Sequence, residues 1–138
     1  MMTEDQLEQE TLSWLVETGY CHVCGYDIAP DSADPWRDSF QQVLLLGRLR
    51  DAIARLNPAI PQAAREDALK QVVDLGIPAL LSANRQFHKL LVSGVPVEYS
   101  KEGETRGDFV RLIDWVEPQN NEWLAVNQFA IKGNALKH

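Results

Sequence analysis

The sequence predicts an α+β fold: one N-terminal helix, a helical middle, then a three-stranded antiparallel meander. Three observations predict it. Apolar residues recur at helical spacing near the N-terminus and again between residues 43 and 92. From residue 95 the apolar period falls to two, the period of a strand with one buried face. Gly, Pro, Asn and Asp punctuate the joins. The chain has 138 residues, about one domain's worth, and its apolar content is ordinary for a globular protein.

The first helix is expected over residues 3–18. Thr3 with Gln6 three residues later forms a capping-box start, and Gly19 is a natural stop. On a wheel turning ~100° per residue, Leu7, Leu12, Trp14, Leu15 and Val16 share one broad arc. Gln6, Gln9, Glu10, Ser13 and Glu17 lie opposite. Glu8 falls inside the apolar arc, between Leu15 and Leu12. A carboxylate aimed at a core is costly unless a metal or a cationic partner compensates it. The competing reading is a carboxylate left wet at the edge of a small domain.

Residues 20–28 read as a short strand, or as an extended segment and a turn. Residues 29–35 are turn-rich, and Asp34-Pro35 suits a helix start, which opens a helical insert over about 36–93. Within it, Val43, Leu45, Leu46, Leu49, Ile53 and Leu56 form a stripe that ends at Asn57-Pro58. Pro61 opens a second helix to about Asp74, with Ala64, Ala68, Leu69, Val72 and Val73 inward. Gly76 and Pro78 precede a third helix over about 79–92, which stops at Ser93-Gly94.

The meander is expected over about 95–131. Val95, Val97 and Tyr99 alternate, and residues 101–107 read as a polar turn. Phe109, Arg111, Ile113 and Trp115 form one face of the next strand, with Asp108 and Asp114 at its two ends. Residues 118–121 turn the chain into a last strand, 123–131. That strand is long and apolar, so something should pair with it. The candidates are a neighbour from earlier in the chain or, if it stays unpaired, a second copy.

Charge and motifs narrow the chemistry. The formal net charge is −7. Residues 1–38 hold nine acids against one base, Arg37, whereas the rest is near neutral. A free-standing nucleic-acid binder carries a basic footprint that this chain lacks. There is no membrane-length apolar run and no signal-peptide pattern, so the expected compartment is the cytoplasm. Cys21-His22-Val23-Cys24 is half of a zinc pattern, and His88 and His138 are the other imidazoles. Two reduced thiols are the alternative. Arg48, Arg50, Arg55 and Arg65 suit a solvated helix face with ion pairs better than a phosphate-binding strip. Metal nucleases use strand-borne acids, but no Glu-x-Lys accompanies Asp108 and Asp114, and Asp114 suits a strand-end residue before a turn better. Trp14, Trp36, Trp115 and Trp123 read as core or interface anchors. No phosphate loop, nucleophile elbow or His-Glu-x-x-His helix is present.

Two stretches carry a family resemblance. One is residues 3–8, Thr-Glu-Asp-Gln-Leu-Glu, continuing through Leu15 to Gly19-Tyr20. The other is residues 107–115, Gly-Asp-Phe-Val-Arg-Leu-Ile-Asp-Trp, followed by residues 120–129, Asn-Asn-Glu-Trp-Leu-Ala-Val-Asn-Gln-Phe. With the helical segment between, the chain resembles the N-terminal region of the restriction (R) subunit of type I restriction enzymes. The resemblance implies a restriction-endonuclease-like core of the PD-(D/E)xK type. In it a first-helix glutamate joins a Mg²⁺ site, and Glu8 matches that position as an accessory catalytic and metal-binding carboxylate. The family's catalytic Asp and Glu-x-Lys come on later strands, which this sequence does not reach.

The expectation is therefore an incomplete nuclease core, inactive alone. Residues 1–138 would be the N-terminal part of a nuclease domain. The parent enzyme would cleave foreign DNA after ATP-driven translocation, with ATP held by motor domains outside this chain. Its partners would be DNA and the methylation and specificity subunits, with no membrane. The helical insert would contact the motor or another subunit. The alternative is a non-catalytic protein-interaction module of the same restriction-modification complex. An acidic DNA mimic fits poorly, because the acids cluster in the first 38 residues.

Overall fold

A computed structural model describes residues 1–75 and 80–132. The expected loop at Gly76 and Pro78, the first residue of the 79–92 helix and His138 lie outside the described residues. The chain divides into two compact units, Met1–Leu46 with Glu122–His138, and Gly47–Asn121.

The first unit is built on helix α1, Glu4–Glu17. Its start is the expected capping box. The Thr3 hydroxyl accepts from Gln6 N at 3.1 Å, and the Gln6 side chain accepts from Thr3 N at 2.8 Å. This satisfies two of the donors that a helix start leaves orphaned. The centre of the predicted apolar arc faces inward: Leu12 is buried, and Leu15 and Glu8 are half-buried. The flanks of the arc do not. Leu7, Trp14 and Val16 are exposed, so the buried stripe is narrower than the wheel suggested.

Strand β1, Cys21–Cys24, follows and runs into a 3-10 turn, Gly25–Ile28. Ile28 and Ala29 are buried with Leu12 in this unit's small core. Strand β4, Leu124–Asn127, pairs with β1 in parallel, with Cys21 opposite Leu124 and Cys24 opposite Asn127. The last strand therefore has a partner from earlier in the chain, and the argument for pairing between copies falls away. It is also shorter than 123–131, because Gln128 takes a left-handed φ of 52° and turns the backbone out of the strand.

The helix expected from Asp34-Pro35 does not form there; the next helix, α2, is Leu46–Leu56. Residues 36–44 are instead held by side chains bonded to backbone. Arg37 Nη1 donates to Gln42 O at 3.0 Å, and Gln42 Nε2 donates to Leu44 O at 2.7 Å. Gln42 Oε1 accepts from Asp38 N at 3.1 Å. Such bonds compete directly with the helical ladder.

The second unit holds most of α2, then α3 (Gln62–Val73), α4 (Leu80–Ser93), β2 (Val95–Lys101) and β3 (Glu104–Val110). Its core collects Ile53, Leu56, Ala68, Leu69, Val72, Leu90, Val95, Val97 and Val110. Val43 and Val73, expected inward, are exposed. Strands β2 and β3 form an antiparallel hairpin with Lys101 opposite Glu104. Glu102 and Gly103 both have positive φ, 54° and 81°, the signature of a tight two-residue turn whose twist matches the strands.

The three-stranded meander is thus corrected to a hairpin in one unit and a parallel pair in the other. The predicted strand through Phe109, Arg111, Ile113 and Trp115 stops at Val110. Asp114 explains the stop. Its Oδ1 accepts from Val116 N and Glu117 N, both at 3.0 Å, and its Oδ2 accepts from Asn120 Nδ2 at 3.0 Å. Asn121 pairs with the Asp114 backbone in both directions, at 2.7 and 2.9 Å. Asp114 is the hub of a turn over residues 114–121; it stands four residues past the end of β3, not at the strand end that the sequence predicts for it. Trp14 and Trp115 are more than half exposed and are not core anchors.

Candidate functional site

The polar residues of the first unit converge where β1 and β4 end. The strands are parallel, so their carboxyl ends lie side by side, with Cys24 opposite Asn127. In open α/β sheets this is the end at which ligands bind. Tyr26 is the second residue after β1, and Gln128 follows β4 directly.

Gln128 links them to the first helix. Its Nε2 donates to Glu8 Oε1 at 2.9 Å, and its Oε1 accepts from Tyr26 Oη at 3.0 Å. One strand residue further back, His22 Nε2 lies 2.7 Å from Asn127 Oδ1. The result is a surface-accessible polar chain, Tyr26–Gln128–Glu8, with a His–Asn pair beside it.

Local backbone features build this chain. Gly25 is buried, and a side chain there would run into the carbonyl groups of Gln128 and Asn127; an added Cβ would sit 2.7 Å from Asn127 O. The absence of a side chain lets the end of β4 cross close over β1. The left-handed backbone at Gln128 is uncommon outside glycine. It is reached where the Gln128 side chain enters the gap between Tyr26 and Glu8.

Beyond it, Arg37 clamps the chain. This guanidinium is 2% exposed. It lies 3.9 Å over the Phe129 ring and 5.7 Å over the Phe40 ring. Its Nη2 donates to Ala130 O at 3.0 Å, and Lys132 N donates to Phe40 O at 2.9 Å. The one base among the first 38 residues is therefore a buried lock, not a surface charge. Its Nε finds no partner among the described residues.

Glu8 thus has a polar contact in place of the cationic partner that burial would demand, and partial exposure keeps it hydrated. One oxygen is engaged by Gln128; Oε2 takes no hydrogen bond among the described residues. Mg²⁺ binds hard oxygens and often keeps several waters, using one or two carboxylates plus substrate phosphates. Glu8 fits as one such carboxylate. No group of three or more His, Cys, Asp or Glu positioned for a metal occurs among the described residues. This unit therefore supplies part of a metal shell at most.

Among the described residues, the other sequence candidates make no hydrogen bond to Glu8. Cys21 and Cys24 are free thiols, and the imidazole between them in sequence is bonded to Asn127. In the second unit, Arg50 pairs with Glu66 at 2.9 Å, Arg55 donates to Asn120 O, and Arg65 donates to Ala54 O. Tyr99 Oη donates to Asp108 at 3.2 Å, and partial burial followed by that carboxylate raises its hydroxyl above the ordinary phenol range. The Glu117 N–H, then Asn120, hold Asp114 below the ordinary carboxylate range.

Glu8 is marked in the sequence by its place on the helical wheel; Arg37 is marked only by the charge asymmetry and Gln128 only by lying in the resembling stretch 120–129, and nothing marks Tyr26. Nothing local marks a contact between residues 8 and 128.

This is a mixed α/β chain with a carboxylate-bearing polar site at the carboxyl ends of a parallel strand pair. A family model described as the type I restriction enzyme R protein N terminus matches residues 1–138, and the chain belongs to that family. It is 35% identical over 132 residues to the type I restriction enzyme HindI endonuclease subunit of Haemophilus influenzae, covering 96% of this chain and 12% of that protein. It is 28% identical to the putative type I restriction enzyme MjaIXP endonuclease subunit of Methanocaldococcus jannaschii, covering 95% and 12% respectively. The chain therefore spans about an eighth of the length of these relatives. No solved structure gives a significant match. No helix among the described residues is long and apolar enough to cross a membrane.

Proposed function

We propose that this chain is the start of the nuclease domain of a type I restriction endonuclease subunit, and that Glu8 contributes a carboxylate to its metal site. The observation that carries this reading is the placement of Glu8. It is half-buried at the centre of the inward arc of α1, and Gln128 holds it at the carboxyl ends of β1 and β4. The resemblance to PD-(D/E)xK nucleases implies the metal role for this residue, and the family match over residues 1–138 supports the resemblance.

In the longer protein, the substrate is double-stranded DNA, cut after ATP-driven translocation by motor domains outside this chain. The partners are the methylation and specificity subunits of the complex. Glu8 would hold Mg²⁺ through Oε2 and help orient it. When bound, that ion supplies Lewis-acid stabilisation of phosphate charge and activates water. Gln128 occupies the other oxygen.

One carboxylate is too few for hydrolysis, so residues 1–138 alone are expected to leave supercoiled DNA intact in Mg²⁺. Cutting by this purified chain that Glu8→Ala abolishes would overturn the reading of Glu8 as an accessory group. A second reading, a non-catalytic interaction module, is favoured by the exposed apolar side chains Leu7 and Trp14 on α1. Under it, Leu7→Glu would abolish subunit assembly, and Glu8→Gln would leave DNA cleavage by the assembled enzyme unchanged.

A further inference from the structure

Glu8 is held by a relay of two side chains, Gln128 and behind it Tyr26. We infer that Gln128 and Tyr26 are positioning residues that fix Glu8 as a one-oxygen ligand, leaving Oε2 to face a divalent cation. The inference rests on the metal reading of Glu8 and says which residues make that reading geometrically possible.

Three observations carry it. First, the polarity of the relay is determined. The Glu8 carboxylate only accepts, so the Gln128 group facing it at 2.9 Å must be the amide nitrogen. The amide oxygen is then turned to Tyr26, whose hydroxyl donates at 3.0 Å. Flipping the amide would set oxygen against carboxylate. Second, the relay occupies one Glu8 oxygen and leaves the other open. A carboxylate free to rotate offers a cation either oxygen alike; one held at Oε1 offers Oε2 as the oxygen without a hydrogen bond. Ligand-orienting hydrogen bonds of this kind commonly govern metal affinity.

Third, the fold bends its backbone to make the relay. Gln128 has φ of 52°, and Gly25 has no room for a Cβ beneath the Asn127 and Gln128 carbonyls. An ordinary strand end at residue 128 would require neither. Unusual backbone of this kind is a reasonable basis for a hypothesis of function. The side chains themselves are exposed, so stability alone gains little from their contact.

The test uses the full-length protein, with the rest of its proposed metal shell, and Mn²⁺ as probe, read by paramagnetic broadening of the Glu8 side-chain carboxyl carbon in NMR spectra. Three variants are compared with the unmodified chain: Glu8→Gln, Tyr26→Phe and Gln128→Asn. Asparagine keeps the amide and tolerates the left-handed backbone but is one methylene too short to reach Glu8. Tyr26→Phe removes only a hydroxyl from an exposed ring. The expected result is broadening in the unmodified chain and none at the side-chain carboxamide carbon of Glu8→Gln. In both relay variants the Mn²⁺ concentration at half-broadening should rise roughly tenfold. Equal broadening in the unmodified chain and both relay variants would overturn the positioning role while leaving Glu8 as a ligand. No broadening of Glu8 in any of them would overturn the metal reading itself, and this inference with it.

Discussion

Asn57 and Arg111 are paired as two strand neighbours would be, although neither lies in a strand. Arg111 N donates to Asn57 Oδ1 at 2.8 Å, and Asn57 Nδ2 donates to Arg111 O at 2.9 Å. The same Nδ2 reaches Ile53 O at 2.8 Å, and Arg111 Nη2 donates to Leu56 O at 3.2 Å. A buried amide thus finishes α2 and fixes the chain just past β3. Replacing it strands one donor, Arg111 N, and one acceptor, Arg111 O; Ile53 O keeps the Asn57 N–H at 3.1 Å. Asn57→Ala is expected to destabilise the protein by roughly 2–4 kcal/mol, read as a lower urea midpoint at unchanged slope.

Gly25 and Gly107 make a matched pair for testing close approach. A Cβ at Gly107 meets nothing within 4 Å, whereas at Gly25 it meets the Gln128 carbonyl. Gly25→Ala should cost about 1–3 kcal/mol or more through overpacking. It should also separate Gln128 from Glu8, visible as altered side-chain amide shifts. Gly107→Ala should change the denaturation midpoint little.

Arg37 is buried for its shape as well as its charge. Its planar guanidinium stacks on Phe129 while two of its nitrogens reach carbonyls on different segments. Lysine offers one compact ammonium and no plane. Arg37→Lys should therefore destabilise by roughly 1–3 kcal/mol, despite conserving charge, and should speed amide exchange in residues 129–132.

Asp114 gives the stability a defined pH dependence. Hydrogen bonds from Glu117 N and Asn120, with Val116 N and Arg111, hold its folded carboxyl below the ordinary value of 3.8. The folded state therefore binds this proton less readily than the unfolded state does. Its contribution is complete above the ordinary carboxylate range and is lost as pH falls through the lower, folded value. Acid titration of stability should show this loss, and Asp114→Asn should flatten it.

The readable parts of the fold were those set by local chemistry. The Thr3–Gln6 box, the Pro61 start of α3 and the alternation of Val95, Val97 and Tyr99 each announced themselves. The misread parts were decided by side chains acting on distant or competing backbone. Phe109 to Trp115 has a strand's period, but Asp114 draws the following amide N–H groups into a turn. Residues 36–44 have a helix start, but Arg37 and Gln42 occupy the carbonyls. The parallel union of β1 with β4 joins segments about a hundred residues apart, and no pattern within either strand names the other. For the same reason Glu8 was legible as an anomaly on a wheel, while Gln128 was not legible as its partner.

The most direct test of the account is DNA cleavage and ATP hydrolysis, measured side by side in the assembled full-length enzyme carrying Glu8→Gln. Because Glu8 is assigned to the nuclease metal site and not to the motor, cleavage should fall on the order of 10- to 100-fold at unchanged ATP hydrolysis. Unchanged cleavage, or equal loss of both activities, would contradict the account.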